Sequence, residues 1–179
     1  MMRTAQLTQI VGRLPLIGFC LRSVARRYAE GSIVKIRQGH AAGYLWKRHH
    51  RYVNGYWIGH YELPIQDALK RELKRNDTFY DVGANAGFFT LVAARIVGPE
   101  GKCIAFDPSP ANHESICEQI QLNELNQCTP VMEGIADFRG KARFSFAAPG
   151  SSEGHLGDSS NGEQQIEVNA TTLDDAVER

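Results

Sequence analysis

Long apolar runs are missing from this sequence. The longest greasy stretch near its start, residues 14–21 (LPLIGFCL), is eight residues held between Arg13 and Arg22. A bilayer span needs about 20. Its length would suit a secretory signal, but Arg22, Arg26 and Arg27 follow it and argue against one. Cysteine is scarce, with four in 179 residues, and no two are spaced as Cys-x-x-Cys. That excludes the usual zinc and dithiol motifs. Cys103 and Cys117 fall in a predicted strand and a predicted helix, where thiols act as small buried hydrophobes. A reducing, cytoplasmic setting is the simplest reading. Two glycosylation patterns, at Asn76 and Asn169, stand without any other sign of secretion. Net charge is absent overall, yet acid is nearly absent from residues 1–60, which hold ten Lys/Arg and only Glu30. The remainder holds ten Lys/Arg and nineteen acids. The basic start either packs on an acidic body or meets an anionic surface such as a membrane. No internal repeat is present.

What is there reads as α/β. Residues 4–29 carry Leu7, Ile10, Val11, Leu14 and Ile17 at helical spacing, broken near Pro15. Residues 32–61 look extended, as short strands and hairpins with an Asn54-Gly55 turn. Pro64 opens a helix whose predicted core face is Ile65, Ala68, Leu69 and Leu73. Then strand and helix alternate: a strand over 78–82, a helix over 88–97, a strand over 102–106. Ser109 and Pro110 begin the next helix, and a third strand covers 131–133. Pro130 suits an edge strand. The alternation implies a parallel sheet. Beyond it lie strands over 141–146 and 165–169. A Gly/Ser-rich stretch at 150–163, expected to be mobile, separates them, and a helix start follows at Thr172.

The chemistry concentrates in FYDVGANAGFFT, residues 79–90. The bend after a parallel strand lies at the sheet's carboxyl end, where ligands bind. Gly83 lets the backbone turn, and Gly87 lets it enter the helix closely. The free N–H groups of the helix start are expected to point into the same space. A P-loop is excluded, because no Gly-Lys-Ser/Thr follows. The dinucleotide pattern G-x-G-x-x-G lacks its middle glycine, replaced by Asn85. Asp81 is expected at the lip of the bend, where it would repel a diphosphate. It would attract an ammonium by up to about 4 kcal/mol gross near a surface. S-adenosyl-L-methionine carries an ammonium, a sulfonium and no phosphate. Asp107 ends the second strand, where an acid accepts hydrogen bonds from ribose hydroxyls. The alternative is that Asp81 caps the following helix and the loop is purely structural.

The segment from FYDVGANAGFFTLVAARIVGPEGKCIAFDPSPANHESICEQIQLNEL to VMEGIADFRGKARFSF, with TTLDDAV, resembles the FkbM-type methyltransferases. That family is a branch of the S-adenosylmethionine-dependent class I fold. GHYELPI resembles the family's entry segment, so the resemblance covers residues 59–179. Residues 1–58 remain an N-terminal helix and β-hairpin extension. The resemblance implies that Asp81, Gly83, Ala84, Asn85 and Gly87 hold the methionyl end of the cofactor. Phe88 closes over it. Asp107 takes the ribose, with Pro108 shaping the turn. Asp137 is a candidate for the adenine end and Glu62 for the methionyl group. It also implies a Rossmann-like sheet of order 3-2-1-4-5-7-6, of which residues 59–179 supply only the N-terminal half. The chain is therefore expected to be a truncated product or fragment, with an open apolar edge on the first strand through which copies would associate.

The function implied is methyl transfer from S-adenosyl-L-methionine to a hydroxyl of a sugar or natural product. The rival readings are a non-catalytic cofactor-binding remnant, a nicotinamide-dependent oxidoreductase, and a basic membrane-surface module resting on residues 1–30. No metal and no nucleic-acid partner is expected. His49, His50 and His60 receive no role, and no catalytic base is named.

Overall fold

A computed structural model describes residues 29–52, 54–150, 154–158 and 163–178. The helix expected over 4–29, and with it the membrane contact expected of residues 1–30, lies outside the described residues but for its last positions.

Strand β3 (Thr78–Val82), helix α2 (Phe88–Val97) and strand β4 (Lys102–Phe106) follow as the apolar pattern predicts. Helix α3 (Pro110–Leu122) and strand β5 (Cys128–Val131) complete a three-stranded parallel sheet of order β3-β4-β5. The third strand starts earlier than the predicted 131–133. Pro130 sits within it, opposite Ala105, because β5 is an edge and needs no outward N–H there. At the other edge, β3 pairs only with β4 among the described residues, and Val82 is 52% exposed. Helix α2 is apolar but for Thr90 and the exposed Arg95, and buries eight of its ten residues. That composition suits a helix covered on more than one side.

A second sheet has order β6-β9-β7-β8. Its strands are β6 (Gly134–Ile135), β7 (Gly140–Phe146), β8 (His155–Leu156) and β9 (Gln164–Thr171). β8 lies inside the stretch expected to be mobile. Leu156 pairs with Phe144 and joins an apolar cluster with Phe146 and Val168, which anchors it. Helix α4 (Leu173–Val177) follows, with Thr172 accepting the Asp175 N–H at 3.1 Å.

Residues 29–61 depart most from expectation. Among the described residues of this stretch only β1 (Ile33–Lys35) and β2 (Leu45–Lys47) are strands, paired antiparallel. The run expected to be a further strand turns instead into a short 3-10 segment, Tyr56–Ile58, after Gly55 at φ 68°. Burial of Tyr56 among Trp46, Tyr61 and Phe88 outweighs its strand preference. Much of this region's backbone bonds to amide side chains rather than to strands. Asn123 bonds both the N–H and the C=O of Leu45, at 2.7 and 2.8 Å. Gln119 does the same for Lys47, at 3.0 and 2.9 Å.

Helix α1 (Leu63–Glu72) uses a similar device. Its fully buried residue is Gln66, not Ile65, which is 46% exposed. Gln66 donates to the carbonyls of Gly59 and Tyr61 and accepts the His40 N–H. One apolar cluster joins Ile36, Trp46 and Tyr56 to Leu91, Val97 and Cys103. Residues 29–61 thus share a core with the parallel sheet.

Candidate functional site

The bend after β3 and the turn after β4 face one cavity of about 210 Å³. Gly83, Ala84, Asn85 and Phe88 line it from the first, and Asp107 and Pro108 from the second. These are six of the ten residues singled out in the sequence. Sequence reasoning missed Tyr56, Tyr61, Phe89 and Asn112, and also Phe144 and Gly154 from the second sheet. Asn112 alone had a local signal, as a polar side chain in the first turn of the helix that follows Asp107. The tyrosines sat in a run whose composition points to a strand.

Gly83 has φ 76°, a left-handed conformation, and a Cβ there would meet nothing within 4 Å. The bend is open at that point. The N–H groups of the bend itself, before the helix begins, are bonded within the chain. Gly83 and Ala84 both donate to the Phe106 carbonyl, at 2.9 and 3.0 Å. Gly87 donates to the Ala84 carbonyl at 2.8 Å, and Asn85 to Asp107 Oδ2 at 2.8 Å. The strongly bent chain needs these internal bonds to satisfy its buried amides.

Asp107 is buried, at 4% exposure. Its Oδ1 accepts the Ser109 N–H at 3.0 Å and the Asn112 amide at 3.1 Å. Ser109, expected to cap this helix, makes no side-chain cap. Burial raises the pKa of this carboxyl, opposed by the donors from Ser109, Asn112 and Asn85. A carboxylate offers about four acceptor positions. Three are filled from within, which leaves one on Oδ2.

The four remaining candidates do not line the cavity. Asp81 lies beneath the bend, 8% exposed, and accepts the Thr90 hydroxyl at 2.6 Å. This places it off the lip where the sequence argument had put it. Burial, opposed by Thr90 and reinforced by the nearby Asp107, pushes its pKa up to about 6. Gly87, at φ 84°, packs against Ile116 instead of facing the cavity. Glu62 precedes α1 at φ 44°, beside Tyr61, whose phenol pKa is raised by burial and then by the Glu62 charge. Asp137 is exposed in the link between β6 and β7.

The upper wall is aromatic. Tyr56 stacks on Phe88 at 5.5 Å, and Tyr61 meets Phe88 and Phe89 edge-on or tilted, at 5.8 and 5.7 Å. The lining as a whole contains one carboxylate and no lysine or arginine. Among the described residues no helix is long and apolar enough to cross a membrane.

Comparison with known proteins bears on this arrangement. Comparison with curated proteins gives no match. A solved structure described as a candidate rRNA-methylase from Clostridium thermocellum is 25% identical at a TM-score of 0.38. The likeness spans 40% of each chain, so less than half of that protein's length. Residues 81–179, more than half of the chain, match the family model of the methyltransferase FkbM domain. That match begins at Asp81 and takes in the glycine bend, Asp107 and Asn112, and on its extent the chain belongs to the FkbM methyltransferase family.

Proposed function

We propose that the cavity binds S-adenosyl-L-methionine and serves methyl transfer to a hydroxyl of a sugar or natural product. The observation that carries this reading is the charge of the lining: the Asp107 carboxylate, no cationic side chain, and aromatic walls. Such a surface disfavours a diphosphate and suits a cation. The internal bonding of the bend points the same way. A pyrophosphate site needs free backbone N–H groups, and those of Gly83, Ala84, Asn85 and Gly87 are spent.

Bound there, the cofactor would supply an electrophilic methyl group on its sulfonium. The chain's own part is to hold and orient. Asp107 Oδ2 would accept one ribose hydroxyl, with Pro108 shaping the turn beside it. The open backbone at Gly83 through Asn85 would take the methionyl end, and Phe88 would close over it. Gly87 would set the entry of α2. Asp81 would act from below the bend as a buried negative charge. Glu62, beside Tyr61, would assist at the methionyl end, and Asp137 at the adenine end. Holding the acceptor in line with the methyl group supplies much of the acceleration. In this reading β3, β4 and β5 are the first three strands of a Rossmann-like sheet. Residues 59–179 are the cofactor-binding domain and 1–58 an extension. The free thiols of Cys103, Cys117 and Cys128 fit a cytoplasmic setting.

Calorimetry with S-adenosylhomocysteine and with NADH tests the reading. Binding of the first and not the second is expected, weakened about tenfold or more by Asp107→Ala, as for a lost charged hydrogen bond. Binding of NADH alone would overturn it.

A further inference from the structure

We propose that Tyr52 is a positioning residue for the Asp107 carboxylate, acting through Asn112. Tyr52, Asn54 and Tyr56 are then a working part of the ligand site, although they precede the matched family region. The proposal deepens the adenosyl-site reading and, for its ligand arm, rests on it.

Tyr52 does not line the cavity. Its hydroxyl has two acceptors, Asn112 Oδ1 at 2.9 Å and the Ala111 carbonyl at 3.3 Å, and the shorter contact is the one to Asn112; Asn112 Nδ2 donates to Asp107 Oδ1 at 3.1 Å. Chemistry sets the direction of this relay. A carboxylate only accepts, so the Asn112 nitrogen must face Asp107. The amide oxygen then faces away, and a buried amide oxygen needs a donor. Tyr52 provides it. Burial raises the Tyr52 phenol pKa, so the hydroxyl keeps its proton at neutral pH. With Oδ1 held by Asn112 and Ser109, the carboxylate is turned so that Oδ2 keeps its remaining acceptor position.

A parallel relay starts two residues later. Asn54 donates to the Tyr56 hydroxyl at 3.0 Å, and Tyr56 donates to Asn85 Oδ1 at 3.2 Å. The two relays thus end on Asn85 and Asp107, the two partners of one 2.8 Å bond. Tyr52 is itself anchored. His49 meets its ring edge-on at 6.4 Å, and the His49 ring nitrogens contact Glu30 and Glu118 at 2.8 and 2.5 Å.

Amide hydrogen exchange on the full chain, without ligand, is the direct test. In Tyr52→Phe the Asn85 and Ser109 amides should exchange about tenfold faster, as for one net hydrogen bond lost. The amides of the β3–β4 ladder should not change. Asn112→Ala should give the same pattern, and the double variant should add nothing further. In the ligand arm, Tyr52→Phe should weaken S-adenosylhomocysteine about tenfold. It should leave a 2′,3′-dideoxy analogue bound equally by parent and variant. Unchanged exchange at Asn85 and Ser109, or acceleration spread evenly over the ladder, overturns the positioning role. So does additivity in the double variant. If exchange behaves as expected and the parent binds no S-adenosylhomocysteine, the relay stands and the cofactor reading falls. If the ligand binds and exchange does not move, the reverse holds.

Discussion

Residues 78–131 and residues 29–61 contribute to the same core by opposite means. In the first region strands bond to strands, five register pairs between β3 and β4 and four between β4 and β5. Each helix lies next in sequence to the strand that it follows. In the second, two three-residue strands do little of the work. The side-chain amides of Gln119 and Asn123, more than 70 residues further along the chain, and of Gln66 in the adjoining helix satisfy its backbone. The first region supplies the ligand-facing carboxylate and the open bend. The second supplies Tyr56 and Tyr61, which complete the aromatic wall with Phe88 and Phe89, and the hydroxyls that brace the site. The contrast teaches that a backbone without ladder partners can be satisfied by amide side chains that take the ladder's place.

The largest test of this contrast is Gln66→Leu. It keeps the volume but strips partners from the Gly59 and Tyr61 carbonyls and the His40 N–H. A loss of about 3 kcal/mol is expected in denaturant unfolding, since unsatisfied buried groups cost roughly 1–3 kcal/mol each. A loss near zero would show that the amides only decorate this region.

Asp81 tests the parallel sheet by pH. Its folded pKa of about 6 lies above the ordinary value near 3.9, so the folded chain holds the proton longer. Its contribution to stability is therefore full below about pH 4 and is lost as pH rises through about 6, by about 3 kcal/mol in total. Asp81→Asn should remove that slope, read as the difference between parent and variant unfolding curves from pH 4 to 7. An identical slope in both would refute the buried, raised carboxyl.

Gly87→Ala should cost about 1–2 kcal/mol, the strain of a left-handed φ on an L side chain. The added methyl would also sit 3.4 Å from Ile116. Thermal melting gives the measure. Smallest of all should be Ile65→Ala, at about 0.5 kcal/mol or less, because that side chain is nearly half exposed. Read beside Gln66→Leu, it asks whether the neighbouring polar residue outweighs the apolar one, against the rule that apolar residues form the core.

Periodicity in sequence carries information where a residue's partners are set by repeat geometry. The apolar run at 78–82, the apolar helix at 88–97 and the acids ending the two strands are legible for that reason. So are the open bend at Gly83 and the place of Asp107 beside it. The failures share one cause. Tyr56 reads as a strand residue until Trp46 and Phe88 close around it. Ile65 reads as core until Gln66 is seen to have three backbone partners. Asp81 reads as the lip of the bend until Thr90, nine residues on, turns its hydroxyl to the carboxylate.

The alternation of strand and helix over residues 78–131, the glycine bend and the two acids at the strand ends were determined by sequence alone, because neighbours along the chain dictate them through steric freedom and side-chain period. Which tyrosines roof that cavity, which carboxylate stays outside it, and how Asn112 comes to be oriented were decided only in the folded molecule. Those depend on hydrogen bonds and ring contacts between residues 9 to 60 positions apart, and no local pattern encodes a partner at such a distance.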